Sequence, residues 1–337
     1  MVRIAKGTTS EIMKAFITGV NGQDGSYLAE LLLSKGYEVH GMVRRTSEPL
    51  MDKISSLPII IHPGDMTDAG SINKIIREVK ADEIYNLAAM SQVRWSYDVP
   101  SMTFDVNVLG LLRIIESIRQ NKQNPKIYQA CSSEMFGKVQ EIPQTENTPF
   151  YPRSPYGVSK TASYYMAKVY REAYDMKIYC GILFNHESER RGEEFLSKKV
   201  CQAVGRIKRG EQEYLEIGNM DAKRDWGYAK DYVKWIYEIM QGEPDDYVIA
   251  TGETHTVREW IEIAFSYAGM PITWKGEGIN EVGIYNNKEI VKINPKFYRP
   301  AEVDLLIGDY SKSKKILGFT PQVKFEELVK IMTDAEL

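Results

Sequence analysis

The chain has 337 residues, enough for one large or two moderate folded units, and its 43% hydrophobic and 26% charged residues are those of an ordinary globular protein. A formal net charge of −3 supplies no basic field for nucleic acid or for an anionic membrane surface. No apolar run approaches bilayer-spanning length, and the N-terminus lacks a secretory h-region.

The cysteines, Cys131, Cys180 and Cys201, are scattered and odd in number, which fits a reducing cytoplasm and buried thiols rather than a disulfide framework. The histidines, His40, His62, His186 and His255, are dispersed too, so no metal site is expected. The opening stretch MVRIAKGTTSEI is polar and aperiodic, and residues 1–13 are set aside as an N-terminal extension.

From Lys14 the chain alternates regularly. KAFITG reads as a strand, and TGVNGQDG then places Gly19, Gly22 and Gly25 at G-x-x-G-x-x-G spacing before the helix SYLAELLLSKG, closed by Gly36. Glycines alone mark ordinary turns. Between a first strand and a first helix, however, they let the backbone approach a pyrophosphate seated on the helix N-terminus. YEVHGMVRR is the second strand. An acid at its end would bond the ribose hydroxyl of NAD, whereas Arg44 and Arg45 suit the 2′-phosphate of NADP. The plainer alternative is a pair of solvated arginines.

IIIHPGD is a third strand, after which Asp65 and Met66 would flank the adenine, and SINKIIREV follows as a helix. DEIYNLAA is a strand whose continuation, LAAMS, would carry Leu87, Ala88, Ala89 and Ser91 along the phosphates and nicotinamide ribose. VNVLGLLRIIESIRQ reads as one long amphipathic helix, KIYQACSS as a strand, and KIYCGILFN as another. Between the last two, Ser154 and Pro155 open a helix through SKTASYYMAKVYREAY. Strands alternating with helices imply an α/β, doubly wound parallel sheet of the Rossmann type over residues 14–185. Past about Asn185 the rhythm loosens into a smaller mixed α/β domain over 186–337, with segments near 226–252 returning to extend the sheet. Ligands of such a fold sit at the carboxyl ends of the strands, between the two parts.

SPYGVSK sets Tyr156 four residues before Lys160, a spacing common in helices and weak alone. Beside a nicotinamide cofactor it gains meaning. A lysine ammonium eases loss of the tyrosine proton, and Ser132, ending the strand in CSSEMFG, offers a hydroxyl to a substrate oxygen. Tyr156 then takes a proton from a sugar hydroxyl as hydride leaves the same carbon.

These residues, with TGVNGQDGSYLAE, SSEMFG, PFYPRSPYGVSK, GILFNHESERRGEEF, IGNMDAKRDWGYAKDYV and FYRPAEVDLLIGD, resemble the extended short-chain dehydrogenase/reductase family over nearly the whole chain from Lys14. Within it, RDWGYAKDYV and YRPAEVDLLIGD point to the branch that dehydrates GDP-manno sugars. The resemblance implies NADP-dependent conversion of GDP-mannose to a 4-keto-6-deoxy sugar. In that scheme Tyr156 takes the C4 hydroxyl proton, Glu134 takes the C5 proton as the C6 hydroxyl leaves, and the hydride returns to C6. Glu134 also reads more plainly as a solvated carboxylate at a helix start. The resemblance adds Thr18, Gln23, Asp24, His186 and Arg191 to the cofactor contacts. To the diphosphate and sugar contacts it gives Asn185 and, from the sugar-nucleotide-binding domain over 186–337, Arg191, Lys199, Arg224, Arg299 and Glu302, with Ser133 also facing the substrate. Any of these arginines also reads as a salt-bridge partner, and a lone histidine as structural.

Two departures from the family stand out. The stretch after RRTS is short where the family carries a longer loop reaching a neighbouring subunit. A homodimer through the long helices is therefore expected, with a homotetramer as the alternative. Around AAMSQVRWSYDVPSM, the positions of Met90, Gln92 and Met102 differ from the family's usual glutamine, histidine and tyrosine, which leaves a GDP-manno-heptose as an alternative substrate. A C4 reductase, dehydrogenase or epimerase would use the same Tyr–Lys pair. A non-catalytic binding protein would have no need of Ser132, Glu134, Tyr156 and Lys160 together.

Overall fold

The computed structural model describes residues 11–46, 51–299, 301–303 and 305–337. Residues 1–10 of the expected extension and residues 47–50 of the short loop lie outside these. Met13 lies just before the sheet, and its carbonyl accepts from the Glu38 N–H at 2.9 Å.

The apolar runs give strands β1 (Lys14–Thr18), β2 (Glu38–Val43), β3 (Ile60–Pro63), β4 (Glu83–Asn86), β5 (Lys126–Ser132) and β6 (Ile178–Leu183). Helices α1 (Gln23–Ser34), α2 (Ala69–Val79), α3 (Pro100–Phe104), α4 (Gly110–Gln120) and α5 (Pro155–Tyr174) lie between them. Next come β7 (Asn185–Glu187), α6 (Leu196–Lys208), β8 (Leu215–Ile217), β9 (Lys223–Arg224), β10 (Trp226–Tyr228), α7 (Ala229–Gln241) and β11 (Asp246–Ile249). The chain ends with β12 (His255–Thr256), α8 (Val257–Tyr267), β13 (Thr273–Lys275), β14 (Val282–Tyr285), β15 (Lys288–Ile293), α9 (Ser311–Leu317) and α10 (Phe325–Asp334).

Seven strands form one parallel sheet in the order β11-β6-β5-β4-β1-β2-β3. Both faces are covered, which is why β6 (IYCGIL) is buried along its whole length. On one face α2, α4 and α5 bury Ile72, Ile76, Ile114, Ile118 and Tyr164, and on the other α1 and α7 bury Leu28, Leu32, Ile236 and Met240. Strand order reverses between β1 and β4, so a crevice opens at their carboxyl ends. A second layer closes over it. There a sheet ordered β13-β14-β15-β8 packs with α6, α8 and α10 around Trp226, Trp260 and Phe325.

Three elements differ from the sequence reading. The helix expected over VNVLGLLRIIESIRQ is the end of a longer run from Pro100, broken by a π-helical turn at Asp105–Leu109. Asn107 accounts for it: its side chain accepts from Met90 N at 2.9 Å and donates to Ser159 Oγ at 2.9 Å, contacts a regular turn would aim elsewhere. KIYCGILFN divides into β6 and the start of β7. Of the returning segments, α7 covers the sheet beside α1 and β11 pairs with β6, whereas β10 pairs with β7 outside the main sheet.

The start of α5 follows from its sequence. Ser154 accepts from Gly157 N at 3.0 Å as N-cap, and Pro155 sits where a missing N–H costs nothing. A Cβ on Gly157 would lie 2.8 Å from the Glu134 carbonyl, so glycine lets α5 abut the end of β5. That contact sets Tyr156 beside Ser132 and Glu134.

Candidate active site

A cleft of about 1110 Å³ runs between the carboxyl ends of the parallel strands and the second layer. Every candidate residue of the sequence reading lines it except Thr18, Arg45 and Ser133. Thr18 is spent internally: its hydroxyl donates to Asn86 Oδ1 at 2.8 Å and accepts from Leu87 N and Ala88 N, each at 3.1 Å, tying β1 to β4. Ser133 is buried beneath the cleft wall.

At one end the glycine turn and the N-terminus of α1 face the crevice. A Cβ on Gly25 would stand 2.3 Å from the Gly19 carbonyl, which fixes glycine at that contact. Arg44 lines this end and is exposed, as is Arg45, and neither pairs with a carboxylate among the described residues. Asp65 accepts from Thr67 N and Thr67 Oγ1 at 2.9 and 2.8 Å, while Met66 packs over Gly110. Asp24 is tied to His186, whose Nε2 lies 2.6 Å from Asp24 Oδ2 and whose Nδ1 lies 2.8 Å from the Phe184 carbonyl.

At the other end β5 delivers Ser132, which accepts from Glu134 N at 3.2 Å, and α5 delivers Tyr156. Burial pushes the Tyr156 phenol up to about 12, against the pull of its Ser132 hydrogen bond and the Arg191 charge. Burial pulls Lys160 down to about 8. The expectation that the lysine eases the tyrosine's proton loss is corrected in one respect. Lys160 Nζ lies 5.9 Å from the Tyr156 ring centroid and donates to the Ala130 carbonyl at 2.9 Å, so Ser132 and Arg191 are the groups that favour phenolate.

Glu134 is buried, and Arg299 Nη1 donates to its two oxygens at 3.2 and 3.5 Å. Arg224, fully inside, donates to the Val303 carbonyl at 2.6 Å and to Glu302 Oε1 at 3.3 Å. Burial, and then repulsion from Arg299, lowers the Arg224 pKa. Burial also works against Arg299, but the Glu134 and Glu302 charges outweigh it and raise its pKa. Two guanidinium groups and two carboxylates thus alternate under the second layer. Lys199 caps the Phe297 ring at 3.5 Å, and Asn185 opens β7 at the same wall.

Sequence reasoning missed three features. Glu187, buried, accepts from Ser197 Oγ at 2.5 Å and pairs with Arg191 Nε at 3.0 Å, which aims that guanidinium. The i,i+4 spacing of Glu187 and Arg191 was a visible signal. Arg94 and Trp95 line the cleft beside Gln92, and Ser96 Oγ accepts from Tyr156 N at 3.1 Å. Phe297 carried no signal, because only the fold brings it to Lys199. Among the described residues no group of three or more His, Cys, Asp or Glu could hold a metal.

The model of the family described as GDP-mannose 4,6 dehydratase matches residues 16–332. GDP-mannose 4,6 dehydratase of Drosophila melanogaster is 51% identical over 96% of this chain and 86% of its own length. The Homo sapiens relative of the same name is 48% identical, over 96% and 91%. Among solved structures, the UDP-glucose 4-epimerase of Thermus thermophilus, in complex with NAD, superimposes with a TM-score of 0.81 at 24% identity, covering 96% of this chain and 98% of that one. At that identity the likeness concerns the fold.

Proposed function

The chain belongs to the GDP-mannose 4,6-dehydratase family, and from that premise we propose how its cleft divides the work. It is a sugar-nucleotide 4,6-dehydratase, and it dehydrates GDP-mannose to GDP-4-keto-6-deoxymannose.

NADP is the proposed cofactor. The fit rests on the α1 N-terminus facing the cleft, the backbone approach at Gly25, and the unpaired Arg44 beside them. Gly19, Gly22, Gln23 and Gly25 would hold the pyrophosphate and Arg44 the 2′-phosphate. Asp65 and Met66 would hold the adenine, with Leu87, Ala88, Ala89 and Ser91 along the ribose and phosphates. When bound, the nicotinamide supplies a hydride acceptor for C4 and a donor for C6.

The protein's own groups handle the protons. Tyr156, bonded to Ser132, takes the C4 hydroxyl proton; Ser132 and Arg191 favour the phenolate directly, and Lys160, anchored on the Ala130 carbonyl with its Nζ 5.9 Å from the ring centroid, adds a longer-range charge. The C4 ketone acidifies C5–H; Glu134 removes that proton and hands it to the C6 hydroxyl, which leaves as water, and a solvent-exchangeable proton later restores C5–H. Arg299 donates to the Glu134 carboxylate and aims it. Asn185, Arg191, Lys199, Arg224, Arg299 and Glu302 hold the GDP moiety and sugar, with Arg224 acting mainly by shaping the Glu302 wall.

One observation carries this reading: a buried carboxylate, Glu134, stands beside the Ser132–Tyr156 pair and in the grip of Arg299. Oxidation at C4 alone needs no such group. The test is GDP-mannose with NADP in D₂O, followed by NMR. A 4-keto-6-deoxy product carrying deuterium at C5 supports the reading, and unchanged GDP-mannose overturns it for this sugar. A GDP-manno-heptose, the alternative left open at Met90 and Gln92, which line the cleft, goes through the same assay.

We further propose a homodimer through the outer faces of α5 and of the helical run from Pro100 through α4, where Met102, Leu109, Val158, Tyr165, Val169 and Tyr174 are exposed. Light scattering on the purified protein tests it. No helix among the described residues is long and apolar enough to cross a membrane, and the three free thiols are all buried, which fits the proposed cytoplasmic location.

A further inference from the structure

The phosphate turn carries a charge that its task does not explain. Asp24 stands in the first turn of α1, lines the cleft, and would set a negative charge where an anionic dinucleotide has to rest. A helix N-terminus favours any anion, so Asp24 competes for the field that should attract phosphate.

His186 answers that charge. Its Nδ1 lies 2.8 Å from the Phe184 carbonyl, which only accepts, so Nδ1 carries a hydrogen. Its Nε2 lies 2.6 Å from Asp24 Oδ2, and a carboxylate there calls for a hydrogen as well. A ring with both N–H groups is imidazolium. Burial opposes that state, and the Asp24 charge and hydrogen bond outweigh it, so the His186 pKa is raised; Asp24 is buried too, and His186 more than offsets this to lower its pKa. The other groups packed on the pair do not replace it. The Tyr232 ring of α7 stacks on the imidazole at 4.9 Å. Gln23 donates to Asp24 Oδ1 and to the His186 carbonyl, both at 3.1 Å. Arg191, the other nearby cation, is bound to Glu187 at 3.0 Å.

We propose that His186 is a positioning residue of the phosphate turn, whose imidazolium cancels the Asp24 charge so that the α1 N-terminus meets an anionic dinucleotide as an attractive site. This rests on the dinucleotide reading of that end of the cleft. Both residues belong to the protein and neither transfers a proton to substrate. Asp24 is retained because it ties α1 to the chain leaving β6.

The experiment is calorimetric titration of the purified protein with NADP at fixed, moderate salt. H186Q keeps a polar side chain and loses the cation, and its dissociation constant should rise about tenfold. The double variant D24N/H186Q should return to within about threefold of the wild type, because the charge needing cancellation has gone. A purely structural histidine would show no such rescue. If H186Q binds NADP as the wild type does, or if D24N fails to rescue it, the proposal is overturned. Where H186Q does not fold, the wild type and D24N are titrated across pH. Wild-type affinity should fall as pH rises and the imidazolium is lost, whereas D24N, whose His186 no longer has the carboxylate that holds its proton, should make its fall at lower pH; coincident curves overturn the proposal. A wild type that binds neither NADP nor NAD would overturn the dinucleotide reading itself, a result distinct from equal binding by wild type and H186Q.

Discussion

Arg299 holds Glu134 through a single nitrogen, Nη1, which lies 3.2 and 3.5 Å from the two carboxylate oxygens. The arginine comes from the second layer and the glutamate from the turn after β5, so the contact spans the cleft. A carboxylate gripped this way is aimed into the cleft by a residue of the opposite wall, and both lining groups face the same space.

Replacing Glu134 by Gln keeps the shape and removes the base. Turnover should fall by about 10²–10⁴, while oxidation at C4 continues. The measurement is the near-ultraviolet absorbance of reduced nicotinamide after mixing with GDP-mannose. A rise that persists without 4-keto-6-deoxy product is expected, and full turnover by the variant would sink the assignment.

Tyr156→Phe should abolish both oxidation and product, by a similar factor, since the phenol is the only group bonded to Ser132 that meets C4 in this scheme. Ser132→Ala should cost less, because it leaves the phenol in place and removes only the hydrogen bond that lowers its pKa. Single-turnover rates in the two variants distinguish these outcomes.

Lys160 gives the reaction a pH signature. Burial brings its pKa down to about 8, so in the free enzyme the ammonium is present below that pH and lost above it. If the charge supports Tyr156, kcat/KM falls as pH climbs through that value. Lys160→Arg should shift the falling limb to higher pH, because guanidinium stays protonated. A limb unmoved in the arginine variant would assign it to another group.

Arg44 and Arg45 stand unpaired and exposed among the described residues, so replacing both with Ala should leave the fold intact. NADP affinity should weaken about 10–100-fold, and NAD affinity should hardly change. Titration with the two dinucleotides side by side measures the selectivity directly.

Asp225 is a test of stability rather than chemistry. Its Oδ1 accepts from Thr251 N and Thr251 Oγ1 at 2.8 and 2.7 Å, and its Oδ2 from Gly252 N and Gly308 N at 3.0 and 3.1 Å. Asp225→Asn would turn a donor toward at least one N–H group whichever way the amide sits, so a loss of about 2–4 kcal/mol is expected by denaturant unfolding. A smaller loss would mean that the loops re-form around the amide.

The sheet was legible because its strands are short, apolar and spaced by helical periodicity, as KIYQACS and IYCGIL illustrate. Pattern carried Tyr156 and Ser132 as well, one at a capped helix start and one at a strand end. Pattern could not say what each arginine would touch. Arg224 and Arg299 both sit in loop-rich stretches, yet one is turned inward onto the Val303 carbonyl and the other onto Glu134. The π-helical turn was hidden for the same reason: Asn107 looks like an ordinary polar residue in a helix until Met90 and Ser159 are brought to it. Such details live in contacts distant along the chain.

The path of the polypeptide after Asn185 constrains anyone who would redesign this molecule. The chain leaves the main sheet through β7, comes back as α7 and β11, departs again for β12 to β15, and returns once more where Gly308 bridges to Gln144 and Ser313 reaches Val248. A chimaera spliced at Asn185 would set β6 of one parent against β11 of the other, and Gln144 of one against Gly308 of the other. Exchanging specificity between two relatives therefore calls for grafting several separate stretches at once, and transplanting the carboxyl-terminal half as one cassette should yield insoluble protein.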